Sequence, residues 1–148
     1  MRKYDIILFD LDGTLVDSGE GIMRSAQYAL SRFGIEVADH HSLRRFVGPP
    51  LEDSFAELYG FGKEDALKGV EYYREYYFGG GIKLQTPYQG VDEFLHEVKK
   101  LGCITAVATS KNQRGADYVC RELFPQFRET IDYVFARDHE GRSPLGLW

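Results

Sequence analysis

Tyr4-Asp5-Ile6-Ile7-Leu8-Phe9-Asp10-Leu11-Asp12-Gly13-Thr14 is the stretch that decides the fold. Its apolar part has no polar alternation. A short run of that kind reads as a strand buried on both faces, the pattern of a parallel sheet. The acids and Gly13 mark its C-terminal end. Open α/β sheets place their ligands at that end of their strands.

Working outward, the periodicity turns helical from Asp17 to about Gly79. Ile22, Ala26, Ala29, Leu30 and Phe33 recur at three- and four-residue steps, and Gly34 is a stop signal. A second helix is predicted from His40 to Val47, ending at Gly48-Pro49-Pro50. A third opens near Glu52, and a fourth runs from Lys63 to Phe78 with Ala66, Val70, Tyr73 and Tyr77 on one stripe. Gly79-Gly80-Gly81 reads as a flexible joint. Thr86 to Gly90 reads as a turn. Val91 to Leu101 is an amphipathic helix with Phe94, Leu95, Val98 and Leu101 on its apolar side. Cys103 to Ala108 forms a second strand-like run, Gln113 to Leu123 a further helix, and Ile131 to Ala136 a third strand. Strand–helix alternation in the outer parts predicts an α/β fold with a Rossmann-like parallel sheet. Residues 1–16 and 82–148 are assigned to that core. Residues 17–81 are assigned to an inserted helical cap, expected over the sheet's C-terminal edge as a lid.

Composition narrows the function classes. The 148 residues carry 18 basic and 23 acidic side chains, a net charge of −5, which disfavours a nucleic-acid groove. The chain is 43% hydrophobic, enough for a packed core. No apolar run approaches the roughly 20 residues that span a bilayer, so no membrane partner is expected. The two cysteines, Cys103 and Cys120, lie in apolar patterns without zinc-ligand spacing. A reducing cytoplasmic setting follows as the expectation. His40 and His41 have no spaced partner in the sequence and read as surface or cap residues in preference to metal ligands. Arg44-Arg45 reads as a solvated helix face.

Asp10 and Asp12 stand two apart, so on a strand both side chains point to one face. Two carboxylates there can share a cation and a substrate, and one can act as a nucleophile while the other moves protons. The same pair can equally be two solvated acids capping the next helix. Thr109-Ser110-Lys111 ends the second strand. A hydroxyl there can donate to a phosphate oxygen or cap the helix that begins near Asn112.

Phe9-Asp10-Leu11-Asp12-Gly13-Thr14-Leu15-Val16-Asp17-Ser18 resembles the first motif of the haloacid dehalogenase superfamily, within its phosphoglycolate-phosphatase-like subgroup bearing a helical cap. The resemblance runs from Tyr4 to about Pro144. It implies a Mg²⁺-dependent phosphomonoester hydrolase acting on a small phosphorylated metabolite through an aspartyl-phosphate. Asp10 would be the nucleophile and Asp12 the general acid/base. Mg²⁺ would be held by the Asp10 carboxylate and the Asp12 backbone carbonyl. The backbone amides after Asp10, at Leu11 and Gly13, would hold phosphate oxygens. Thr109 would bind phosphate as the second motif, with Ser110 one residue away as the fallback and Lys111 as a further candidate or a surface charge. Gly48, Pro49 and Pro50 would form the substrate loop of the cap. Related sugar-phosphate mutases carry an Arg a few residues after that Gly; here the aligned residue is Leu51, which favours a phosphatase.

The resemblance also implies a Lys motif and a second acidic pair after a fourth strand. Asp138 to Pro144 resembles the approach to the Lys, whose place Leu145 takes, and the sequence given stops at Trp148. Asp138 and Glu140 precede that place and read as loop charges. The expectation is an incomplete core with catalysis impaired by orders of magnitude, and an exposed Ile6–Phe9 edge that self-associates. The alternative function is an inactive remnant or partner-binding module.

Overall fold

The computed structural model describes residues 3–138 and residue 142. Glu140 and Leu145, on which part of the C-terminal reading falls, lie outside them. Two compact units are present. One comprises residues 1–17 and 86–148, the other residues 18–85.

The first unit is built on a three-stranded sheet. Its strands are β1 (Ile6–Phe9), β4 (Ile104–Asn112) and β5 (Tyr133–Arg137), in the order β1-β4-β5. Both pairings are parallel, with Phe9 opposite Val107 and Val107 opposite Val134. The parallel core expected from the apolar runs is present. The central strand β4 carries the buried Thr105, Ala106, Val107 and Thr109. β1, however, lies at the sheet edge. Ile6 is 58% and Leu8 52% exposed, so this run is not buried on both faces among the described residues. A second small sheet pairs β2 (Val16–Asp17) antiparallel with β3 (Thr86–Pro87), where a plain turn was expected.

Helix α4 (Val91–Lys100) buries Leu95 and Val98, while Phe94 and Leu101 stay exposed at 53% and 56%. The apolar stripe read from the sequence is thus only half used. α5 (Gln113–Asp117) begins at Asn112, whose side chain accepts from the Gly115 N–H at 2.8 Å. It continues through a wider turn over Tyr118–Leu123, where Val119 and Cys120 are fully buried. Burial pushes the Cys120 thiol up to about 12. α6 (Phe127–Thr130) leads into β5. The starts of β4 and β5 are tied by Asp132, whose carboxylate accepts from the Lys99 ammonium at 2.5 Å and the Thr105 N–H at 2.9 Å.

The second unit is helical. α1 (Gly19–Ser31) buries Ile22, Met23, Ala26, Ala29 and Leu30, close to the predicted stripe. A 3-10 run follows over His40–Phe46, then α2 (Leu51–Tyr59) and α3 (Lys63–Gly79). Phe55 stacks on Phe61 with ring centroids 5.7 Å apart and meets Phe46 edge-on at 5.1 Å. Tyr73 and Tyr77 are buried on α3, as their spacing predicts. Of the glycine run read as a flexible joint, Gly79 and Gly80 have open space beside them, while Gly81 is packed against α1. A Cβ on Gly21 would lie 2.1 Å from the Gly81 carbonyl oxygen, and one on Gly81 would lie 2.9 Å from Ser25 Oγ. The chain leaves this unit at Gln85, beyond the glycines.

Candidate active site

The ends of β1 and β4 bring Asp10–Asp12 beside Thr109–Lys111. β1 stops at Phe9, and the chain turns sharply over residues 11–16. The Leu11 carbonyl accepts from the N–H groups of Thr14, Leu15 and Val16, and the Gly13 N–H donates to the Val16 carbonyl at 2.9 Å. Gly13 sits at φ +78°, a conformation that glycine adopts without steric cost. Leu11 is fully buried and anchors the turn.

The turn gives the two acids different surroundings. Asp10 accepts from the Leu11 N–H at 2.8 Å. Lost solvation raises its carboxyl pKa, the Leu11 N–H lowers it, the Asp12 charge raises it and the Lys111 charge lowers it; the net effect is upward from 3.8. Asp12 is mostly covered. Its carboxylate oxygens lie 3.1 and 3.2 Å from Lys111 Nζ, with the two side chains only 12% and 9% exposed.

Thr109 is buried, and its Oγ1 accepts from the Lys111 N–H at 3.2 Å. That bond turns the backbone so that the Lys111 side chain runs back toward β1. The helix cap expected of Thr109 or Ser110 belongs to Asn112 instead, because β4 runs three residues farther than Thr109. Ser110 is half-buried beside them. The amides of Leu11 and Gly13, expected to hold phosphate, both have internal acceptors here, Asp10 Oδ1 and the Val16 carbonyl.

The donor set suits a hard cation. Asp10 offers a carboxylate, and among the described residues no backbone N–H donates to the Asp12 carbonyl. Oxygen donors of this kind are what Mg²⁺ takes. Asp138 is engaged elsewhere, accepting from the Arg142 N–H at 2.8 Å. In the helical unit, Gly48-Pro49-Pro50 forms the turn into α2, with Gly48 at φ +110°. By sequence alone, Lys111 stands last among the second-motif candidates. Its contact with Asp12 spans 99 residues, and no local pattern announces it.

Several known proteins resemble this chain. The chain is 44% identical over 109 residues to a 5'-nucleotidase of Pseudomonas aeruginosa, covering 74% of this chain and 49% of that protein. It is 34% identical over 118 residues to the tyrosine-protein kinase PtkA of Mycobacterium tuberculosis, covering 80% of this chain and 40% of that one. This chain therefore spans about half, or less, of these relatives' length. The crystal structure of a predicted phosphatase from Clostridium acetobutylicum superposes with a TM-score of 0.87 at 38% identity, over 94% of this chain and 63% of that one. Residues 7–144 match the haloacid dehalogenase-like hydrolase family, and this chain belongs to that family.

Proposed function

We propose that this chain carries the reacting carboxylates of a Mg²⁺-dependent phosphomonoester hydrolase of the phosphoglycolate-phosphatase-like kind, acting in the cytoplasm on a small phosphorylated metabolite. The observation that carries the reading is the trio at the strand ends: Asp10, Asp12 and the Lys111 ammonium bound to Asp12. An Asp10 oxygen attacks phosphorus, forming an aspartyl-phosphate as the bond to the leaving oxygen breaks. Asp12 gives that oxygen its proton, then takes one from the water that releases inorganic phosphate and restores Asp10. Lys111 offsets the negative charge gathered there, and such electrostatic stabilisation usually contributes more to the rate than any other single effect. Thr109, whose Oγ1 accepts from the Lys111 N–H, would bind phosphate through its hydroxyl, with Ser110 beside it as the fallback. Asp10 and the Asp12 carbonyl would hold Mg²⁺, which when bound stabilises charge on the phosphoryl oxygens. The helical unit would serve as the substrate-selecting cap through Gly48, Pro49 and Pro50.

The test is hydrolysis of p-nitrophenyl phosphate with and without Mg²⁺, together with borohydride trapping of the aspartyl-phosphate. Turnover that needs Mg²⁺ and disappears in Asp10→Asn is expected. A panel of nucleoside monophosphates and phosphoglycolate then separates substrate classes, since one relative is a 5'-nucleotidase. No hydrolysis and no trapped adduct would favour the partner-binding alternative. Turnover that survives Asp10→Asn would remove the assignment.

A further inference from the structure

The helical unit holds a second cluster of chemistry-bearing side chains, which the hydrolase reading does not use. Glu20 on α1 meets His40 and His41 at the start of the 3-10 run, with one potential ligand atom from each residue, all within 4.8 Å of one another. His40 Nε2 lies 3.1 Å from both Glu20 oxygens, and His41 Nε2 lies 3.8 Å from Oε2. Oε2 therefore faces both imidazoles. Oε1 is held from the other side by Arg24 Nε at 2.5 Å, one helical turn along α1. The carboxylate is thus fixed in orientation before any ligand arrives.

We propose that Glu20, His40 and His41 form a binding site for a borderline transition-metal cation of the Zn²⁺ type. Two imidazoles and one carboxylate make a donor set that zinc favours and that magnesium does not. Zinc bonds of about 2.0–2.1 Å in tetrahedral geometry put ligand atoms roughly 3.3 Å apart. The two separations from Glu20 Oε2, 3.1 and 3.8 Å, bracket that value, and the imidazole nitrogens lie within 4.8 Å of each other.

A second feature points the same way. His41 Nδ1 lies 2.9 Å from Asp39 Oδ1. A carboxylate that accepts from one imidazole nitrogen turns the opposite nitrogen outward as a lone-pair donor, the arrangement that orients histidines at metal centres. Asp39 is itself fixed, because the same oxygen accepts from the His41 backbone N–H at 3.0 Å and caps the 3-10 run. Charge also favours a cation. Glu20 and Asp39 supply two negative charges against the one positive charge of Arg24, so an arriving cation meets a net negative pocket. The fourth ligand would be water, since His41 is 60% exposed.

The experiment titrates the full chain with ZnCl₂ in chelator-free buffer at neutral pH by calorimetry. Histidine ring NMR signals are followed in parallel. One Zn²⁺ per chain is expected, undiminished by excess Mg²⁺, with the His40 and His41 ring signals moving and that of His96 in α4 unmoved. Asp39→Asn, which preserves a good helix cap, should weaken binding by about 10–100-fold, and His40→Gln/His41→Gln by more. The unaltered chain decides the case if a variant fails to fold. Zn²⁺ that leaves both ring signals in place, or binds a folded His40→Gln/His41→Gln chain as tightly, overturns the proposal.

Discussion

The Lys111 ammonium binds both oxygens of the Asp12 carboxylate, at 3.1 and 3.2 Å, across 99 residues of sequence. The contact joins the turn after β1 to the irregular C-terminal end of the central strand β4. It puts one positive charge against two acids, Asp12 by direct contact and Asp10 through its field.

Lys111→Ala should therefore lower kcat/KM for a phosphomonoester by about 10²–10³-fold, the usual cost of losing one charge-stabilising group. It should also move the acid limb of the pH profile. In the proposed reaction Asp10 attacks as a carboxylate, and its pKa already stands above 3.8, with Lys111 among the influences holding it down. Activity falls as the pH drops through that raised value. Removing Lys111 lifts the value further, so the limb shifts to higher pH. An unchanged limb in a folded variant would show that Lys111 does not act on Asp10.

β1 offers an open edge among the described residues, with Ile6 58% and Leu8 52% exposed. Unpaired apolar edges recruit further strands. Sedimentation of the purified chain should show self-association, and Leu8→Lys should shift it toward monomer. A monomeric chain at high concentration would refute this.

Gly21→Ala should cost about 1–3 kcal/mol in urea unfolding, as overpacked sites do. Its Cβ would fall 2.1 Å from the Gly81 carbonyl oxygen, a backbone atom that cannot rotate away. Gly79→Ala meets nothing within 4 Å and serves as the control, expected within about 0.5 kcal/mol of the parent.

Asp132→Asn should destabilise the α/β unit by about 1–3 kcal/mol at neutral pH, because Thr105 and Lys99 lose a charged acceptor. Burial works against the Asp132 charge, but Lys99 and the Thr105 N–H outweigh it, and the carboxyl pKa lies below 3.8. A depressed carboxyl contributes stability that is complete above the unfolded value, about 3.9, and is lost as the pH falls through the folded one. Urea midpoints of the two proteins should accordingly converge below about pH 4. A gap that persists at lower pH would assign the effect to packing.

Much of the fold was legible because local patterns report local physics. The unbroken apolar runs at Ile6–Phe9 and within Cys103–Ala108 mark parallel strands, and the stripe on α1 marks the face that packs. Where the reading went astray, the missing quantity was a neighbour. Phe94 and Leu101 sit at helical spacing with Leu95 and Val98, yet only the latter pair finds cover. Gly79-Gly80-Gly81 has the composition of a joint, but Gly81 is placed against Gly21 and Ser25 by the crossing of α1.

The sequence by itself determined the class of the sheet, the family motif at Asp10–Asp12 and the hydroxyl-rich strand end at Thr109–Ser110. Each is written in consecutive residues, whose side-chain directions follow from backbone geometry alone. Only the tertiary structure decided that Lys111 reaches Asp12, that Asn112 takes the helix cap, and that the Glu20 carboxylate meets both His40 and His41. The first and third join residues far apart in the chain, and the second depends on how far β4 extends before the helix begins. Periodicity tells which face of an element is buried, but the identity of what lies opposite is set when the elements pack.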